Sequence, residues 1–150
     1  MPNTLRLPYA QLAPEAYQAM LGLSQALHHG PLDSRFIELI WLRVSQLNGC
    51  AYCVDLHWRE LIGQDADPRR LNSLSIWAES PFFDAREKAA LQWAEAVTLT
   101  AGRTLEDESF AQLRAQFTDA EIAQLGFAIA CMNAWNRLAI PFRQPVPMKA

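Results

Sequence analysis

The segment Glu38-Leu39-Ile40-Trp41-Leu42-Arg43-Val44-Ser45-Gln46-Leu47-Asn48-Gly49-Cys50-Ala51-Tyr52-Cys53-Val54-Asp55-Leu56-His57 decides how this chain is read. Its first half, with Phe36 and Ile37 before it, places Ile40, Trp41, Val44 and Leu47 at helical spacing, the pattern of a core-facing helix. Its second half sets two cysteines three apart and a histidine four residues after the second. Positions i, i+3 and i+7 share one face of a helix, so Cys50, Cys53 and His57 are expected to form a stripe. Asn48 reads as the N-cap of this second helix, which places Cys50 in its first turn.

Outward from this segment the helical reading continues. Ala and Leu total 43 residues, against 11 for Val and Ile, a balance that favours helix over strand. Asp67 before Pro68 is an N-cap with proline at the first helical position, and Asp84/Glu87 and Thr118/Glu121 have capping-box spacing. These signals predict helices near 12–29, 33–47, 49–63, 68–78, 84–101, 105–116 and 119–138. In the last of them, Ile122, Leu125, Ile129 and Met132 form a second apolar stripe. The expectation is one all-α domain over residues 1–150, a compact bundle of about six to seven helices. The proline-bearing ends, 1–12 and 141–150, are expected as extended arms packed on the body or on a neighbouring subunit.

Composition excludes several classes of function. With 150 residues and 51% apolar content, the chain can bury a core and is not disordered. Thirteen basic residues face 16 acidic ones with no basic run, so charge-driven nucleic-acid binding is not expected. The longest apolar run, Leu125 to Met132, is too short to span a bilayer, and residues 1–10 lack a signal pattern. A cytoplasmic protein without a membrane partner is expected. Three cysteines do not make a secreted disulfide framework.

The close cysteine pair therefore reads as chemistry. Helical i and i+3 positions are compatible with a disulfide. Two effects lower a thiol pKa from about 8.5: the helix dipole, which favours Cys50, and the imidazole, which favours Cys53. The residues alone leave open which sulfur attacks first. They also leave open a zinc site built on Cys50, Cys53 and His57. Haem attachment is excluded, because Val54 stands where that motif requires histidine. Cys131, inside an apolar run, reads as core filler. His28 and His29, before Gly30 and Pro31, read as a helix C-terminus. Glu38 lies on an otherwise apolar helix near Arg43, and by the residues alone reads as a solvated or paired charge.

Glu38, eleven intervening residues, then Cys50, Cys53 and His57 reproduce the E-x11-CxxCxxxH motif. By it the chain resembles the AhpD-like alkylhydroperoxidases of the carboxymuconolactone decarboxylase superfamily. The similarity extends through Arg86-Glu87-Lys88-Ala89-Ala90-Leu91, Trp93-Ala94-Glu95-Ala96 and Asn133-Ala134-Trp135-Asn136-Arg137, covering about residues 15–140. The resemblance implies an all-helical protomer that assembles into trimers or hexamers and reduces organic hydroperoxides without bound cofactor or metal. It implies Cys53 as the peroxidatic thiol, Cys50 as the resolving thiol, and His57 with Glu38 as the proton relay. It also implies recycling by a dithiol reductant, a lipoyl-type carrier in one branch. Tyr52 departs from the best-known branch, which has histidine there. A lactone decarboxylase and a non-enzymatic redox or zinc module stand as alternatives.

Overall fold

A computed structural model describes residues 3–148, and all of its regular structure there is helical. The order is α1 (Tyr9–Leu12), α2 (Pro14–Leu27), α3 (Ser34–Asn48), α4 (Ala51–Gly63), α5 (Pro68–Asn72), a 3₁₀ turn (Ser73–Ile76), α6 (Ala85–Thr98), α7 (Asp107–Gln116) and α8 (Asp119–Ala139). The starts follow local chemistry. Asp67 accepts a hydrogen bond from the Arg69 amide, and both capping boxes, Asp84/Glu87 and Thr118/Glu121, are formed.

Two elements differ from the sequence reading. The helix expected over 68–78 stops at Asn72 and tightens into the 3₁₀ turn. Within the N-terminal segment expected as an extended arm, Tyr9–Leu12 closes a helical turn. The two ends pair with each other: the Arg6 amide donates to the Phe142 carbonyl at 2.8 Å, and Asn3 exchanges two hydrogen bonds with Val146. Tyr9 stacks on Phe142. The outermost parts of the expected arms, residues 1–2 and 149–150, lie outside the described residues.

Helix α3 is the centre of the bundle. It packs against α4, α6 and α8, and Ile37, Leu39, Ile40, Trp41, Leu42 and Val44 are all buried. The apolar stripe of α8 meets it with Leu125, Ile129 and Met132 in the core. The α3–α4 connection is two residues long. Gly49 takes a left-handed conformation, φ 71°, that a side chain would strain. Its amide donates to the Gln46 carbonyl, and the Cys50 amide to the Ser45 carbonyl, which is a Schellman ending. An amide network secures this end of α3 to α8. Asn48 donates to Asn133 and to Asn136, and Asn136 donates to Ser45 at 3.2 Å.

The α2–α3 turn is held from α8 by Gln124. Its side chain accepts from the Leu32 amide at 2.6 Å and donates to the Leu27 carbonyl at 2.8 Å. A Cβ at Gly30 would overlap that amide. Gln124→Ala leaves two buried backbone groups unpaired, and is expected to lower unfolding stability by about 1–3 kcal/mol. Equilibrium urea denaturation measures this; an unchanged midpoint would remove Gln124 as the anchor of the turn.

Candidate active site

Three short-range choices build the site. The Schellman ending of α3 delivers Cys50 directly as the N-cap of α4, where its sulfur accepts the Cys53 amide at 3.3 Å. The sequence reading used Asn48 as this cap and put Cys50 in the first turn. Asn48 is instead the last residue of α3, so Cys53 occupies the first turn of α4 and feels the positive helix end. Cys50 and Cys53 are joined as a disulfide, with Cα atoms 5.3 Å apart.

One turn further along α4, His57 meets α3. Its Nδ1 lies 2.7 Å from Glu38 Oε2, and the two side chains are only 7% and 5% exposed. A buried carboxylate accepts this bond, so Nδ1 carries the proton and Nε2 is left free as a base. Glu38 does not pair with Arg43; Arg43 turns to Glu95, 2.7 Å away.

The second oxygen of Glu38 has a partner that sequence reasoning missed. His28, the C-cap of α2, places Nε2 3.4 Å from Glu38 Oε1 and Nδ1 2.8 Å from Ser34 Oγ. One carboxylate thus carries two imidazoles, and Trp41 packs against both rings, 5.0 Å from His28 and 5.4 Å from His57. The sequence held the residue but only a dipole reason for it, because the contact depends on where α2 ends relative to α3.

These groups line a cavity of about 640 Å³ together with Cys53. Cys50 is buried and is not among the lining residues. Tyr9, Tyr17, Tyr52 and Trp135 form much of the wall. Tyr52 therefore faces the pocket, in the place where the other branch carries histidine. Burial, with Tyr17 nearby, pushes its phenol above the ordinary value near 10. Cys131 lies apart in the core with Sγ 3.5 Å from Ser24 Oγ, and burial pushes its thiol up. Among the described residues no group of three His, Cys, Asp or Glu is placed to hold a metal ion. No helix there is long and apolar enough to cross a membrane.

The fold and site define a class: a helical protein that presents a cysteine pair at a helix start, beside a buried carboxylate–imidazole couple. Residues 14–96 match the carboxymuconolactone decarboxylase family, and the chain belongs to that family as an AhpD-like member. It is 32% identical to YdfG of Bacillus subtilis over 90% of this chain and 92% of that one. The crystal structure of an Agrobacterium tumefaciens protein, suggested to be the antioxidant defence protein AhpD, superposes with TM-score 0.93 at 40% identity. It covers 97% of this chain and 100% of that one. The debrominase Bmp8, as a cysteine variant in complex with 2,3,4-tribromopyrrole, shares the fold at TM-score 0.83 and 19% identity, over 92% of this chain and 74% of that one.

A phenol whose folded pKa is raised loses its proton more readily when unfolded. Its stabilising contribution is complete below pH 10 and is lost as pH rises through the folded value. The tyrosinate absorbance of the native protein is therefore expected to lag that of the unfolded chain above about pH 10, and Tyr52→Phe to shrink the lag. Coincident titration curves would place these phenols in water.

Proposed function

We propose that this protein is a cytoplasmic thiol peroxidase that reduces organic hydroperoxides in antioxidant defence. The observation that carries the reading is the buried Glu38–His57 pair lining the same cavity as Cys53. In the reduced protein, His57 Nε2 takes the Cys53 proton and Glu38 stabilises the imidazolium. The Cys53 thiolate attacks the distal peroxide oxygen. An S–O bond forms, the O–O bond breaks, and the imidazolium returns its proton to the departing alkoxide. The Cys50 thiol then displaces water from the Cys53 sulfenic acid and closes the disulfide. An external dithiol, small or lipoyl-type, supplies two electrons by exchange and restores both thiols. No step requires a bound cofactor or metal. His28 holds the second oxygen of Glu38 and keeps the carboxylate aimed at His57.

Cys53 suits attack because it lines the cavity and lies in the first turn of α4. Cys50, capping from beneath, suits resolution. The lactone-lyase alternative rests on the family match alone: a carboxylated lactone calls for a countercharge, and the described lining residues include no Lys or Arg. The zinc alternative needs both sulfurs as free thiolates, and Cys50 and Cys53 are joined as a disulfide in this structure.

The decisive experiment is a thiol count on reduced, metal-free protein before and after one equivalent of an organic hydroperoxide. A fall from three thiols to one, with peroxide consumed, is expected. Three surviving thiols with persisting peroxide would end the reading. Cys53→Ser is expected to abolish consumption. Glu38→Gln and His57→Asn are expected to slow the peroxide step by about 10²–10⁴-fold. His28→Asn should slow it less than His57→Asn, and full activity of all three variants would remove the relay.

We also infer assembly into a trimer or hexamer. Leu12, Ile76 and Phe127 are 65%, 66% and 61% exposed, an apolar cost that a subunit interface relieves. Mass measurement by light scattering tests this, and a monomer at micromolar concentration overturns it.

A further inference from the structure

We propose that the cavity selects neutral hydroperoxides with a flat, aromatic body, and rejects anionic ones. This rests on the peroxidase reading above and concerns what accompanies the O–O group. Size comes first. About 640 Å³ is a volume typical of sites that enclose a whole small organic molecule. Hydrogen peroxide or a short alkyl hydroperoxide would share it with many waters, each of which occupies about 30 Å³ in the liquid. A larger body displaces that water, and its binding contributes to the reaction at Cys53.

The walls specify the body. Tyr9, Tyr17, Trp41, Tyr52 and Trp135 come from five different helices and surround one space. They are held rigidly. Tyr17 packs edge-on against Trp135 at 5.5 Å and near Tyr9 at 6.2 Å. The indole N–H groups are already engaged, Trp41 with the Ala128 carbonyl and Trp135 with Ser24. The indoles offer a ligand faces and edges, which suit another ring, and the phenols add neutral hydroxyls, of which that of Tyr9 bonds Gln144.

Charge sets the exclusion. The described lining residues include two carboxylates, Glu38 and Glu60, and no Lys or Arg. Both imidazoles at the base are engaged with Glu38, and the Tyr9 and Tyr52 phenols are held neutral. An anionic substrate would leave water without a Lys or Arg countercharge, and would face the buried Glu38 carboxylate and, at the exposed edge, that of Glu60.

The test uses pre-reduced protein in single turnover, so that no physiological reductant is required. Second-order rate constants are measured for hydrogen peroxide, tert-butyl hydroperoxide, cumene hydroperoxide, and 4-carboxycumene hydroperoxide with its methyl ester. Each is divided by its rate with free dithiothreitol. Cumene hydroperoxide is expected to exceed tert-butyl hydroperoxide, and the methyl ester its acid, by about tenfold or more. Tyr17→Ala should lower the cumene rate more than the hydrogen peroxide rate, and Glu60→Lys should raise the rate of the acid. Uniform normalised rates, or an acid faster than its ester, overturn the selectivity while leaving the peroxidase standing. No reaction with any of the five overturns both.

Discussion

An ionised carboxylate buried without partners would cost the fold several kcal/mol, and Glu38 lies in the second turn of α3, the helix that packs against α4, α6 and α8. Its two oxygens are met from two directions, by His57 on α4 and by His28 at the end of α2. Satisfying one carboxylate therefore sets the rotation of α4 about α3 and the point at which α2 must stop. Trp41, one turn along from Glu38, packs between both imidazoles and donates to α8. The carboxylate–imidazole couple and the core are thus the same piece of structure, and a change that loosens α3 loosens the His57–Glu38 contact.

The other constraint is the two-residue join between α3 and α4. Gly49 reverses the chain with a positive φ, and Cys50 both ends one helix and caps the next. The side-chain amides of Asn48, Asn133 and Asn136, with the Ser45 hydroxyl, fix that join to α8, so the cysteine pair starts from a rigid point. The backbone that sets the separation of the two sulfurs is therefore held by hydrogen bonds on both sides.

The cavity has a different origin. Its walls come from α1, α2, α3, α4 and α8, and from the N-terminal segment that pairs with residues 141–148. A family fold supports several chemistries, and these walls rather than the bundle determine which molecule reaches Cys53. Tyr52 illustrates the point: it stands one residue before Cys53 in α4, yet its phenol joins a wall built with residues of α1, α2 and α8.

Much of this was legible in the residues, for local reasons. Proline placement, Ala and Leu content and capping pairs such as Asp84/Glu87 and Thr118/Glu121 act within a few residues of where they stand. They determined where most helices begin. The spacing of Cys50, Cys53 and His57 determined that these side chains would share a face. The sequence reading misplaced the α4 cap, because Asn48 and Cys50 both suit the role and only the left-handed turn at Gly49 decides between them. It left Glu38 as a solvated or paired charge near Arg43, whereas helix packing buries Glu38 between two imidazoles and sends Arg43 to Glu95. It gave His28 only a role at a helix end, because the approach of that ring to Glu38 depends on a turn held by Gln124, far away in sequence. The sequence by itself thus determined the helices and the shared face of Cys50, Cys53 and His57, since both follow from periodicity along a single chain. Only the tertiary structure decided the second imidazole on Glu38, the aromatic cavity and its lack of a described cation, since each arises where separate helices meet at angles and depths that no local pattern encodes.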